Sequence, residues 1–123
     1  MSQILEMCAE QLYQSEQTLK PVAPIRAELG EDATVDDAYA IQDINTERAL
    51  NSGRRLVGRK IGLTSVAVQK QLGVDSPDFG MLFADMAYGD GEAIPAGKLI
   101  QPKVEAEIAL GLMFTMVFHC SNV

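Results

Sequence analysis

The sequence predicts an α+β fold in which helices come first and strands follow. The periodicity of apolar residues is helical before residue 52 and becomes short, β-rich and glycine-bearing after it. Charge changes at the same place: residues 1–52 carry ten acids and three bases, residues 53–111 carry seven of each, and residues 112–123 carry none. The 123-residue chain therefore divides into an acidic helical part (1–52), a β-containing part (53–111) and an apolar tail (112–123).

Two helices are predicted in the acidic part. Ser2 is placed to cap the first, which runs to about Thr18 and ends before the prolines of residues 20–24. Its apolar stripe consists of Ile4, Leu5, Cys8 and Leu12. Thr34 is predicted to cap a second helix that runs to about Leu50, with acidic residues in the first turn, where the helix dipole favours them. The apolar side of this helix consists of Ala38, Ile41, Ile44 and Ala49.

The second part is predicted to alternate strands with turns. Residues 56–63 form the first strand, and a short helix from Val66 to Leu72 follows, with Gly73 at its C-terminal cap. Residues 75–80 and the region around 88–91 are rich in turn residues and are expected to be loops. The alternation from Val104 to about Leu112 predicts another strand.

Glu105 and Glu107 are predicted to share one face of that last strand, followed there by Ala109 and Gly111. Their backbone positions would lie about 7 Å apart. In a cleft of low dielectric the two carboxylates would repel each other, and a divalent cation such as Mg²⁺ would remove that repulsion. Spacing alone does not decide between a metal site and two solvated acids, and it favours the solvated acids.

Lys60 and Asp78 are two further candidates. Lys60 is flanked at two residues on either side by Gly58 and Gly62, so its stem has room on that face. It could bind a carboxylate or an enolate, or transfer a proton; the alternative is an edge-strand lysine that blocks aggregation. Asp78 lies in a Pro-Asp-Phe-Gly loop, where it serves either turn geometry or acid–base chemistry and the orientation of water. The adjacent His119 and Cys120 are weak evidence for a metal site.

Composition excludes several classes of function. A net charge of −7 makes nucleic acids and anionic membrane surfaces poor partners. No apolar run reaches the roughly 18 residues of a membrane span. Glu6 and Glu10 stand where a signal peptide would be apolar, so a cytoplasmic protein is expected. Cys8 and Cys120 are too few for a disulfide scaffold.

Four blocks of sequence, in order, resemble a known family. They are residues 37–42 (DAYAIQ), 57–64 (VGRKIGLT), 71–86 (QLGVDSPDFGMLFADM) and 101–109 (QPKVEAEIA). The resemblance, from about residue 20 to residue 111, is to the 2-keto-4-pentenoate hydratases, also called 2-hydroxypenta-2,4-dienoate hydratases. These enzymes belong to the hydratase/decarboxylase branch of the fumarylacetoacetate hydrolase superfamily.

The resemblance implies a function and a site. Such a hydratase (a hydro-lyase) adds water to 2-hydroxypenta-2,4-dienoate, the enol of 2-oxopent-4-enoate, and yields 4-hydroxy-2-oxopentanoate in the meta-cleavage catabolism of aromatic compounds. It implies that Glu105 and Glu107 bind Mg²⁺ or Mn²⁺, that Lys60 assists proton transfer, and that Asp78 places the proton or the water. It also implies a mixed β core of the fumarylacetoacetate hydrolase type, a small-molecule 2-oxo acid substrate and a homo-oligomer in the intact family enzyme.

The chain also departs from the family. Family members are much longer, and their third acidic metal ligand lies beyond the resemblance, whereas residues 112–123 match nothing in the family. The expectation is a truncated N-terminal part with little or no hydratase activity of its own, which associates or aggregates. Two alternatives stay open: 4-oxalocrotonate decarboxylase of the same family, and a non-catalytic fragment that binds a partner through its apolar tail.

Overall fold

The computed structural model describes residues 2–104 and 108–111. The helices are α1 (Ser2–Thr18), α2 (Arg26–Leu29), α3 (Val35–Asn51) and α4 (Val66–Leu72), the strands are β1 (Leu56–Gly62), β2 (Asp78–Phe83) and β3 (Ile108–Gly111), and short 3₁₀ turns span Ala84–Met86 and Ala96–Lys98. Helices with a small antiparallel sheet confirm the α+β prediction. None of the described helices is long and apolar enough to cross a membrane.

The chain forms two compact units, one of helices and one built on the sheet. The helical unit contains the described residues up to 53 together with 95–100, and the sheet unit contains 54–94 and the described residues from 101 onward. Residues 95–100 thus belong to the helical unit, although the sequence places them in the second part. The catalytic nature of residues 53–111 and the separate tail at 112–123 stay predictions.

The core of the helical unit lies between α1 and α3. Cys8, Ala9 and Ile41 are fully or almost fully buried there. Four partly buried residues pack around them: Leu5, Ile25, Leu29 and Ile44. The Asn45 side-chain amide donates a hydrogen bond of 2.9 Å to the Ala9 carbonyl, which ties α3 to the buried turn of α1. Burial raises the pKa of the Cys8 thiol, and the negative charge of Glu28 raises it further.

Both predicted helices form. The first spans the predicted range, but two members of its predicted stripe, Ile4 and Leu12, are exposed because α1 meets α3 through Cys8 and Ala9. Ala38 of the second helix is exposed as well.

The predicted cap of α3 is confirmed. The Thr34 hydroxyl accepts a hydrogen bond from the Asp37 backbone N–H at 3.2 Å, and the Asp37 carboxylate accepts from the Thr34 N–H at 2.9 Å. This reciprocal pair is a capping box. The helix runs to Asn51, one residue past the predicted end at Leu50.

The sheet has the strand order β2-β1-β3, and both pairings are antiparallel. The first predicted strand and the short helix after it are confirmed, and Gly73 adopts the left-handed conformation (φ 72°) that a C-terminal cap favours.

The prediction of a loop through residues 75–80 is wrong for its last three residues. Asp78 begins β2, and Asp78–Gly80 pair with Lys60–Gly62 of β1. Because that pairing satisfies their backbone groups, it outweighs the turn preference of the Pro-Asp-Phe-Gly segment. Of the last predicted strand, residues Ile108–Gly111 form β3, whereas Val104 is exposed and lies outside any strand.

Candidate functional site

Lys60 lies in the middle of β1, the central strand of the sheet, so it is not an edge-strand lysine. Its side chain is only 12 % exposed. Its nearest neighbours on that face are small: Gly58 and Gly62 along the strand, Gly80 directly opposite on β2 and Ala109 directly opposite on β3. The lysine is therefore held among small neighbours, but the expected room beside it is not found at Gly58, because a Cβ there would lie 2.5 Å from the Leu110 carbonyl oxygen of β3.

Asp78 shares that face. It pairs with Gly62, and its Oδ2 lies 3.8 Å from the Lys60 Nζ. The side chain is about half exposed, yet its Oδ1 is buried and has no hydrogen-bond partner among the described residues. A buried carboxylate oxygen without a donor is costly, so this atom is suited to accept a hydrogen bond from a ligand or a water.

The backbone next to the site is held in a rare conformation. Leu63, directly after β1, has a φ of 53°, in the left-handed region that residues other than glycine seldom adopt. The buried Gln69 of α4 donates a 2.6 Å hydrogen bond from Nε2 to the Leu63 carbonyl. This bond fixes the end of β1 against α4 and so supports the strand that carries Lys60.

The other end of β1 is held by an arginine. The Arg54 guanidinium lies 3.0 Å from Asp85 and 4.4 Å from the centre of the Phe83 ring. The Ala84 backbone N–H donates a 2.9 Å hydrogen bond to the Arg55 carbonyl. These contacts join the end of β2 to the start of β1 and so stabilise the β1–β2 pairing on which the site depends.

The predicted metal ligands, Glu105 and Glu107, lie outside the described residues, as do His119 and Cys120. Within residues 2–104 and 108–111, no group of three or more His, Cys, Asp or Glu side chains is placed to hold a metal ion. Ala109 and Gly111, which the sequence places on the same face as the glutamates, pair with Lys60 and Gly58.

The structure thus brings together Lys60 and Asp78, which the sequence suggested separately. Sequence reasoning missed Gly80, which was assigned to a turn. The sequence does place Gly80 two residues after Asp78, as expected for one face of a strand, but the importance of Gly80 becomes visible only through its pairing with Lys60. Local sequence does not contain that register.

Comparison with known proteins finds close relatives, each of which matches this chain over only part of its own length. No protein-family model matches the chain. The chain is 63 % identical over 107 residues to 2-keto-4-pentenoate hydratase of Paraburkholderia xenovorans (strain LB400), which covers 87 % of this chain and 39 % of that protein. It is 70 % identical over 91 residues to 2-keto-4-pentenoate hydratase 2 of Dechloromonas aromatica (strain RCB), which covers 74 % of this chain and 34 % of that protein.

A solved structure is similar as well. The 4-oxalocrotonate decarboxylase from Pseudomonas putida G7, solved with calcium and acetate and also with magnesium and adipate, matches with a TM-score of 0.77 and 33 % sequence identity. The match covers 85 % of this chain and 39 % of that one. The chain therefore spans about two fifths of the length of the proteins that it matches. The resemblance indicated by the four sequence blocks is confirmed: over most of its length, the chain is related to the 2-keto-4-pentenoate hydratases.

Proposed function

We propose that this chain supplies the lysine–aspartate part of the active site of a hydratase. The reaction adds water to 2-hydroxypenta-2,4-dienoate and gives 4-hydroxy-2-oxopentanoate. The observation that carries the proposal is the identity of 63 % over 107 residues to a 2-keto-4-pentenoate hydratase. The pairing of Lys60 with Asp78 on one face of the sheet supports it.

The two side chains suit this chemistry. When the hydroxyl of water is added at C4, negative charge must be stored at the oxygen end of the conjugated system. The Lys60 ammonium is a positive group that can stabilise that charge and exchange a proton with the substrate. Asp78 keeps the ammonium on this face through its Oδ2 and offers its buried Oδ1 to a water or a substrate hydroxyl.

Glu105 and Glu107 are proposed to bind a divalent metal, Mg²⁺ or Mn²⁺. Such a hard cation prefers carboxylate oxygens as ligands. Glu105 and Glu107 precede Ala109 by four and two residues, so the alternation expected of a strand would put them on the same face as Ala109, which pairs with Lys60. When bound, the metal would supply Lewis-acid polarisation of the substrate oxygens. The solved decarboxylase, with calcium or magnesium, supports a divalent cation in this group of proteins.

The remaining proposals rest on the resemblance. They are a mixed β core of the fumarylacetoacetate hydrolase type, a role in the catabolism of aromatic compounds, homo-oligomerisation of the intact enzyme and a cytoplasmic location. The structural match to the decarboxylase supports the fold, because its TM-score is 0.77.

The second candidate is decarboxylation of 4-oxalocrotonate, favoured by the same structural match. Sequence identity separates the two candidates: it is 63 % to the Paraburkholderia hydratase and 33 % to the decarboxylase. Hydration is therefore the preferred reaction.

A chimera tests the function. Residues 20–111 of this chain replace the aligned residues of the Paraburkholderia hydratase, so that the remainder of that enzyme is present. We expect the chimera to consume the dienol without releasing CO₂, and the 123-residue chain alone to show little or no turnover. Lys60→Met should abolish the activity of the chimera, whereas Lys70→Met, at an exposed position in α4, should not. Release of CO₂ from 4-oxalocrotonate would establish the second candidate, and a folded chimera with neither activity would contradict both.

A further inference from the structure

The Lys60 side chain lies across the position of Gly80. The two residues are directly opposite in the β1–β2 ladder. A Cβ atom built on Gly80 would lie 3.0 Å from Lys60 Cε, 3.1 Å from Cγ and 3.5 Å from Cδ. The lysine stem thus occupies the space that any side chain at position 80 would need.

This packing determines the position of the Lys60 ammonium group. Asp78 precedes Gly80 by two residues and shares its face, so a stem that crosses Gly80 carries Nζ towards the Asp78 carboxylate, which it approaches to 3.8 Å. A methyl group at position 80 would push the stem at Cγ, near its root, and at Cε, next to the nitrogen.

The backbone itself does not require glycine at position 80. The glycines with a positive φ among the described residues are Gly30, Gly53, Gly73 and Gly91. Alanine is therefore compatible with the strand, and it loses less backbone entropy on folding than glycine. The three nearest atoms to the built Cβ all belong to one flexible side chain, which can move without unfolding the sheet.

We propose that Gly80 is a positioning residue, which holds the Lys60 ammonium beside Asp78 by leaving the lysine stem room to cross β2. The consequence for catalysis rests on the proposed function, whereas the packing itself does not. Gly97→Ala provides a matched control, because a Cβ there meets nothing within 4 Å and its φ is not positive.

The packing is tested on the 123-residue chain by limited acetylation of lysines and peptide mass spectrometry, with the exposed Lys70 as internal reference. Because Lys60 is 12 % exposed, it should label slowly in the unsubstituted chain. Gly80→Ala should raise its labelling severalfold at unchanged circular dichroism, and Gly97→Ala should leave it unchanged. Equal labelling of Lys60 in all three proteins overturns the proposal.

The catalytic consequence is tested in the chimera. A displacement of about 1 Å at a reacting group can cost roughly 100-fold in rate, so Gly80→Ala should lower kcat at least about tenfold. The KM should change less, since Gly80→Ala keeps the charges of both Lys60 and Asp78. An unchanged kcat overturns the positioning role. A parent chimera without hydratase activity instead overturns the proposed function, and the labelling result still decides whether Gly80 positions Lys60.

Discussion

Lys60 and Asp78 meet diagonally across β1 and β2, with Nζ 3.8 Å from Oδ2. Asp78 is paired in register with Gly62, so the lysine reaches it along the face of the sheet and not straight across the ladder. At this distance the contact is an attraction between charges and is longer than a hydrogen bond. Since the Asp78 side chain is about half exposed, water or a substrate group can enter beside the pair.

The Asp78→Asn substitution is expected to separate function from stability. A partly exposed ion pair of this length contributes at most about 1 kcal/mol to the free energy of unfolding, so the variant should fold normally. In the chimera, loss of a carboxylate that places a proton or a water should lower hydratase activity by roughly 100-fold or more. Urea titration and dienol consumption measure the two effects. The exposed Asp75→Asn is the control, and a variant that loses stability while keeping activity would contradict this role.

The helical unit has a small core, and Ile41 is its most buried large side chain. Truncation by Ile41→Ala should lower the free energy of unfolding by about 2–4 kcal/mol, through lost burial and the cavity left beside Cys8. Val35→Ala, on the same helix but 62 % exposed, should change it by less than about 0.5 kcal/mol. Urea unfolding of the two variants provides the comparison. Equal losses would show that the α1–α3 contact is not the core of this unit.

The sequence predicted best the elements that depend on neighbouring residues. Thr34 and Asp37 form their reciprocal cap three residues apart, so a local pattern contains the whole interaction. Gly73 ends α4 for a similarly local reason.

Features that depend on distant pairing were not predicted. The turn residues around Asp78 and Gly80 suggested a loop, but pairing with β1 makes them a strand. The contact of Lys60 with Asp78 and the packing of its stem on Gly80 both follow from the register of β1 against β2. That register is a tertiary property and is absent from either segment alone.

Asp37 gives the helical unit a pH-dependent contribution to stability. Hydrogen bonds from the Thr34 hydroxyl and then from the Thr34 backbone N–H lower the pKa of the Asp37 carboxyl. A carboxyl with a lowered pKa in the folded state stabilises the fold above its unfolded pKa of about 3.9, and this stabilisation is lost as pH falls through the lowered folded value. The difference in unfolding free energy between the unsubstituted chain and Asp37→Asn should therefore be full at neutral pH and shrink below about pH 4.

Thr34→Ala is the control for that measurement, because it removes the hydroxyl donor to Asp37. We expect the pH-dependent difference caused by Asp37→Asn to be smaller in the Thr34→Ala background. Urea unfolding between neutral pH and about pH 3 measures it. A difference that is the same at every pH would show that the carboxylate charge of Asp37 does not contribute through the cap.

Divalent metal is expected to stabilise the chain through Glu105 and Glu107 if these proposed ligands act together. A ligand that binds only the folded state raises the free energy of unfolding by about 1.4 kcal/mol at ten times its Kd, so Mg²⁺ or Mn²⁺ should raise the Tm in a concentration-dependent way. Glu105→Gln and Glu107→Gln should each reduce that rise, since a single carboxylate holds a hard cation weakly. Asp90→Asn, at an exposed position of the same charge, should keep it. Chelation of the metal should return the Tm of the unsubstituted chain to its starting value, which separates metal binding from a direct effect of substitution on folding. A Tm rise in both glutamate variants as large as that of the unsubstituted chain would place the bound metal elsewhere in the chain.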